Sequence, residues 1–70
     1  TDPAERRRIE REAIGEARDA LSTATDEVTK AIALIRADDP ALADAYRAQS
    51  RTVLVALRSV DLELRRASGL

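Results

Sequence analysis

The chain has no cysteine and no histidine, and it also lacks methionine, tryptophan and phenylalanine. Without cysteine it can form neither a disulfide nor a thiolate metal site. Without histidine it lacks the commonest metal ligand and the commonest general base near neutral pH. We therefore expect no catalytic residue, no metal, no organic cofactor and no small-molecule substrate, so the chain is predicted not to be an enzyme.

Glycine, proline and aromatic residues are scarce, with two glycines, two prolines and one tyrosine in 70 residues. The composition is 44% hydrophobic and 36% charged, and it is rich in Ala, Arg, Glu and Leu, which is typical of long helices and coiled coils. The sequence therefore predicts an all-α fold.

Neither a strong net charge nor a long apolar run is present. Twelve basic and thirteen acidic residues leave a formal net charge of -1. The apolar run Val53–Leu57 is far shorter than the ~20 residues of a membrane-spanning helix. No secretory pattern opens the chain. We expect neither a membrane nor a nucleic-acid partner, and the cellular location stays open.

Two Asp-Pro pairs predict two helix starts, at Asp2-Pro3 and Asp39-Pro40. Asp caps a helix by accepting an amide hydrogen bond, and Pro suits the first helical position. We predict one domain over residues 1–70, with helices at 3–37 and 40–67 and a turn at 38–39. Residues 68–70 are read as a tail or a remnant of expression. A link this short makes the helices antiparallel neighbours in a hairpin.

Seven-residue repeats run through both helices and predict knobs-into-holes packing. If the chain folds at the link, residues whose numbers sum to about 77 meet. Arg18 and Asp61 then share one flank, and Glu16 faces Arg66. The predicted seam between the helices consists of Ile14, Ala17, Leu21, Ala24, Val28, Ala31 and Ile35 on the first helix and Leu42, Tyr46, Gln49, Val53, Ala56, Leu57, Val60 and Leu64 on the second.

A second row of apolar residues repeats on another side of the second helix, at Ala41, Ala48, Val55 and Leu62. We predict that this second row forms an oligomer interface, because two helices alone cannot cover apolar arcs this wide. The expected assembly is a homo-oligomer with a four-helix or larger bundle: a dimer first, a trimer or larger ring second.

Two residues of the predicted seam allow more than one interpretation. Gln49 is either a buried polar residue that sets the register and needs a partner, or a residue at the rim that points to water. Tyr46, the single aromatic, is either an anchor for a ligand or the large half of a core layer, and the second interpretation is favoured.

The Asp-Pro starts, the three-residue connection Ala37-Asp38-Asp39, the uninterrupted heptads and the restricted set of residue types together resemble a computationally designed helical hairpin of the kind used to build symmetric oligomers. The resemblance covers essentially the whole chain. It implies a self-assembling structural subunit with no native substrate. The sequence departs from such designs in having eleven arginines against one lysine, and in placing Gly15 and Thr25 within a helix. These departures keep a natural coiled-coil fragment from an Arg-rich proteome as an alternative.

Two other functions are kept as alternatives to self-assembly. The exposed apolar row could dock a helix of a different protein, as in helix-in-groove recognition. A remote alternative is an Arg-rich helix that binds nucleic acid, although acids lie beside nearly every arginine and no aromatics are interleaved for base stacking.

Overall fold

A computed structural model describes residues 2–69, which fold into two long helices. Helix α1 spans Pro3–Ala37, and helix α2 spans Ala43–Ser68 after a 3-10 turn at Pro40–Leu42. The helices pack antiparallel in a hairpin of 57 × 14 × 11 Å. The predicted all-α fold is confirmed. The second helix differs from the prediction by opening as a 3-10 turn and ending one residue later, while positions 1 and 70 lie outside the described residues.

Aspartates cap α1 and the 3-10 turn that leads into α2, and they also form the connection between the helices. Asp2 Oδ1 accepts a hydrogen bond from the amide of Ala4 at 3.0 Å, and Asp39 Oδ1 accepts one from Ala41 at 2.9 Å. Asp38 is left-handed, with φ 47°, and its amide donates to the carbonyl of Ile35 at 3.1 Å. Aspartate tolerates this conformation better than most residues with a Cβ. The chain therefore reverses direction within two residues.

The contact between the helices is made mainly by small side chains. The buried residues of the described part of the chain are Ala13, Ala17, Ala24, Ala56 and Val60. Ala24, at 2% exposure, is the most buried of them and packs with Ala56, Val60 and the partly buried Ala20. Alanine lets two helix backbones approach closely but removes little apolar area from water. The hairpin therefore has a thin core.

The contact follows a regular three-four spacing in each helix. On α1 the buried and half-buried positions at this spacing are Glu10, Ala13, Ala17, Ala20, Ala24, Glu27, Ala31 and Leu34. On the 3-10 turn and α2 they are Leu42, Gln49, Val53, Ala56, Val60, Glu63 and Ala67, with the more exposed Tyr46 completing the series. We call these positions the alanine seam.

On α1 the alanine seam differs from the predicted one by a row. Ala17, Ala24 and Ala31 are common to both. The row predicted beside them contains Ile14, Leu21, Val28 and Ile35, but three of these are exposed, at 56% (Ile14), 55% (Leu21) and 57% (Ile35), while Val28 is half-buried. The row on the other side, which includes Ala13 and Ala20, lies between the helices instead. The reason is steric, because the smallest residues of the arc face the neighbouring helix and the large ones are left beside it.

On α2 most of the predicted seam lies in the contact. Leu57 and Leu64 are the two exceptions, since both flank the contact and are about half exposed. The predicted pairing of Ala17 with Val60 agrees with the structure, where the two residues line one groove. Ala24, predicted opposite Val53, instead packs with Ala56 and Val60.

Replacing Ala24 by leucine tests how tight the alanine seam is. Ala24→Leu inserts a large side chain at the most buried position of the contact. We therefore expect a loss of about 1–3 kcal/mol in the free energy of unfolding, measured by urea titration followed by circular dichroism. Ala33→Leu is the matched control, because Ala33 is exposed on the same helix. Equal stability of the two variants would contradict close packing at Ala24.

Candidate interaction surface

One broad side of the hairpin carries six large aliphatic residues that lie outside the alanine seam. Its α1 half is the row Ile14, Leu21, Val28 and Ile35, and its α2 half contains Leu57 and Leu64. We call these six residues the apolar face. Ile14, Leu21 and Leu64 border one groove, whose floor includes Ala17 and Val60. The two rows are therefore on the same side of the molecule.

The apolar face continues to the turn. Ile35 lines a shallow depression there together with Leu34, Leu42, Ala43 and Tyr46. Tyr46, predicted as a core residue, is 40% exposed in the hairpin. The tyrosine therefore lies at the edge of the contact between the helices.

The opposite broad side is polar. Arg66 Nη1 on α2 lies 3.3 Å from Glu16 Oε2 on α1 and 3.4 Å from Glu63 Oε2 on its own helix. The contact between Glu16 and Arg66 agrees with the predicted register. The predicted neighbours Arg18 and Asp61 are not brought together in this way, since Asp61 pairs with Arg65 at 3.2 Å.

Gln49 makes a polar contact between the two helices. Its Nε2 donates to the carbonyl oxygen of Glu27 at 2.8 Å and to Glu27 Oε2 at 2.7 Å. Lys30 Nζ binds the other carboxylate oxygen at 2.9 Å. Gln49 is half-buried, so it has a partner within the chain rather than pointing into water. The sequence placed it opposite Val28, one residue from its partner.

These hydrogen bonds change the acidity of Glu27. The Gln49 amide, followed by Lys30, lowers the pKa of the Glu27 carboxyl below its ordinary value of 4.5, while partial burial acts in the opposite direction. Sequence reasoning missed Glu27. Its heptad position, in the row of Ala13 and Ala20, was the available signal, because a charged residue in that row must find a polar partner.

The second row lies apart from the apolar face. Val55 and Leu62 are 63% and 64% exposed, and Ala41 and Ala48 are exposed as well. At helical spacing these residues lie on the outer side of α2, toward the polar side of the hairpin. The hairpin therefore presents two separate apolar surfaces, of which the apolar face is larger.

Several arginines are paired with acids on their own helix. The contacts are Arg6 with Glu10, Arg8 with Glu5, Arg47 with Asp44 and Arg65 with Asp61, at 3.0–3.6 Å. Such exposed pairs contribute little to stability and leave a surface of mixed charge. The nucleic-acid alternative gains no continuous basic stripe from this arrangement.

Residues 2–69 contain no cluster of three or more acidic, His or Cys side chains placed to hold a metal ion. In the same part of the chain, neither helix has an apolar stretch long enough to cross a lipid bilayer. The hydroxyls of Thr25, Thr29 and Thr52 donate to carbonyls four residues back on their own helices. They are therefore satisfied locally.

No protein-family model, curated protein or solved structure matches this chain. Function is therefore inferred from the residues and contacts described above.

The lowered pKa of Glu27 predicts a dependence of stability on pH. The folded state favours the charged carboxylate, so Glu27 stabilises the hairpin above the pKa of the unfolded chain and loses this contribution as the pH falls through its lowered folded pKa. Glu27→Gln removes the charge and keeps an acceptor for Gln49. We expect the stability difference between the parent and Glu27→Gln to shrink as the pH is lowered below about 4, measured by thermal unfolding at a fixed protein concentration.

The control for this experiment is Glu63→Gln. Glu63 also lies in the alanine seam, and its side chain is 19% exposed against 16% for Glu27, but it pairs with Arg66 of its own helix. If both substitutions changed the pH profile equally, the contact between Gln49 and Glu27 would not be the cause.

Proposed function

We propose that this chain is a structural subunit that self-associates through its apolar face into a helical bundle, with a dimer of four helices as the assembled form. The observation that supports the proposal is that the hairpin buries its small apolar residues and exposes its large ones. Four of the five buried residues are alanine, whereas eleven larger apolar residues, Tyr46 included, are 40–64% exposed. A stable isolated hairpin would bury the larger side chains.

The energy balance supports association. Fully burying an aliphatic side chain is worth about 1.5–3 kcal/mol, and alanine contributes much less. A chain of this size is only marginally stable even when its apolar side chains are well buried. In this hairpin many of the large apolar side chains are exposed. Each Ile or Leu of the apolar face is about half exposed, so roughly half of its burial free energy is not gained within the hairpin. A partner that covers the face would supply this remaining half.

The dimensions of the hairpin support a partner of the same size. The broad side of the hairpin measures 57 × 14 Å, so its projected area is about 800 Å², close to the area that each partner contributes to a standard interface. A second hairpin laid along this side would cover the apolar face.

The phase of the heptad rows supports a bundle with four helices. A helix in such a bundle touches two neighbours about 90° apart, so the rows that point at the bundle axis lie between the two contacts. On α1 these are the row of Ala17, Ala24 and Ala31 and the adjacent row that begins with Ile14. On α2 they are the row of Val53 and Val60 and the adjacent row with Leu57. The predicted seam therefore corresponds to the core of this proposed bundle.

The second row supports a larger assembly as the runner-up. Val55 and Leu62 remain uncovered when a second hairpin lies on the apolar face, so the second row would be the contact of a trimer or larger ring. Its role as an oligomer interface stays a prediction. A binding module for a helix of another protein would use the apolar face instead, and it would leave this chain monomeric.

Two matched double variants test which surface carries association. We expect the parent to have twice its chain mass of 7.6 kDa by light scattering at micromolar concentration. Leu57→Glu with Leu64→Glu should reduce the mass to that of one chain, because two charges per chain would be buried without partners. Val55→Glu with Leu62→Glu should leave a dimer intact.

The variants separate the possible outcomes. A parent that is a folded monomer would refute self-association and favour the helix-binding alternative. Dissociation by the second-row variant alone would assign association to the second row rather than to the apolar face. A parent of higher mass that falls to a dimer only in the second-row variant would establish both contacts.

A further inference from the structure

We infer that the second copy lies along the apolar face in the opposite direction to the first. Its turn is then beside the open end of the first copy, the end that carries Pro3 and Ser68. We call this the end-to-end arrangement. The two copies are related by a two-fold axis perpendicular to the helices that passes near Leu54. This inference rests on the proposed function and adds the orientation of the partner.

The first reason is the unequal size of residues along one row of α2. Ala43 and Ser50 occupy this row near the turn, and Leu57 and Leu64 occupy it near the open end. In the end-to-end arrangement α2 faces α2 of the second copy. Ser50 then meets Leu57, and Ala43 meets Leu64. Every contact therefore joins one small and one large side chain, and the spacing between the helices stays constant.

The second reason is the even size of residues along the facing row of α1. Here α1 faces α1 of the second copy, so Ile14 meets Ile35 and Leu21 meets Val28. These pairs are all large, so the distance between the two α1 helices is also constant along the bundle. The α1 pairs lie at the same positions along the bundle axis as the α2 pairs. This follows because contacts between α1 and α2 within the hairpin keep the predicted register to within a few residues.

The third reason is the edge of the apolar face on α2. Leu54, which is 55% exposed, lies there with Arg47 one heptad before it and Asp61 one heptad after it. The two-fold axis places Leu54 against Leu54 of the second copy and Arg47 against Asp61 of the second copy. Both charged residues already have exposed partners on their own helix, but such pairs are weak and exchange readily.

The arrangement with both turns at one end fits less well. There α2 would face α1 of the second copy, with Leu57 against Leu21 and Ser50 against Val28. The bundle would be wide at the open end and narrow near the turn, which straight helices cannot follow without voids. Leu54 would face Thr25. In this arrangement the charged pair between the two copies would be Asp61 with Arg18 of the second copy.

Distances between spin labels distinguish the two arrangements. The chain has no cysteine, so Ala37→Cys places one label per copy at the end of α1. End to end, position 37 lies opposite position 12 of the second copy, so about 25 residues of helix separate the two labels, and at 1.5 Å per residue we expect about 40 Å. With both turns at one end, the distance would be only about 15–25 Å, the width of a four-helix bundle plus the label arms.

Asp26→Cys is the matched control. Position 26 lies near the middle of α1, so its labels should be about 15–30 Å apart in either arrangement. Pulsed electron resonance that gives a short distance at 26 and about 40 Å at 37 supports the inference. Short distances at both positions would overturn the inference and leave the proposed function intact. The absence of a dipolar signal at both positions would overturn the proposed function as well, and a mass of three chains would exclude the two-fold axis.

Discussion

The close approach of the two helices over alanine is the contact on which the rest of the structure depends. Because Ala17, Ala24 and Ala56 occupy the space between the helices, no large side chain fits there. The row of Ile14, Leu21 and Ile35 on α1 and the pair Leu57 and Leu64 on α2 therefore lie on one side of the hairpin. The thin core and the broad apolar face are two results of this one packing choice, and neither would exist if larger residues separated the helices.

The sequence predicted the local features of the fold better than the contact between the helices. Asp2 and Asp39 were identified as caps because their chemistry is local, and both accept the expected amide hydrogen bonds. On α1 the seam was placed one row away, because periodicity defines the centre of an apolar arc but does not define which part of the arc faces which neighbour. Residue size decides which part of the arc faces the other helix, because the side chains of both helices must fit together in the contact. The bond between Gln49 and Glu27 was missed for the same reason, since its position depends on the row of α1 that faces α2.

The two broad sides of the hairpin differ in what they can recognise. The polar side satisfies its charges within the chain, through Glu27 with Gln49 and Glu16 with Arg66, so a partner there would have to replace existing contacts. The apolar face makes no comparable polar contact and gains free energy when water is removed from it. This asymmetry favours the apolar face over the polar side as the site of the proposed association.

The two-residue turn at Asp38 and Asp39 also determines the order in which the hairpin closes. Contacts near the turn join residues close in sequence, the bond between Glu27 and Gln49 spans 22 residues, and the contact between Glu16 and Arg66 spans 50 residues. Because the entropy lost on closing a loop grows with its length, the hairpin forms as a zipper from the turn. Its open end is the last part to close. The most buried residues, Ala13, Ala17, Ala24, Ala56 and Val60, lie at the middle of the hairpin or nearer its open end. Amide hydrogen exchange would therefore be slowest around these residues rather than beside the turn.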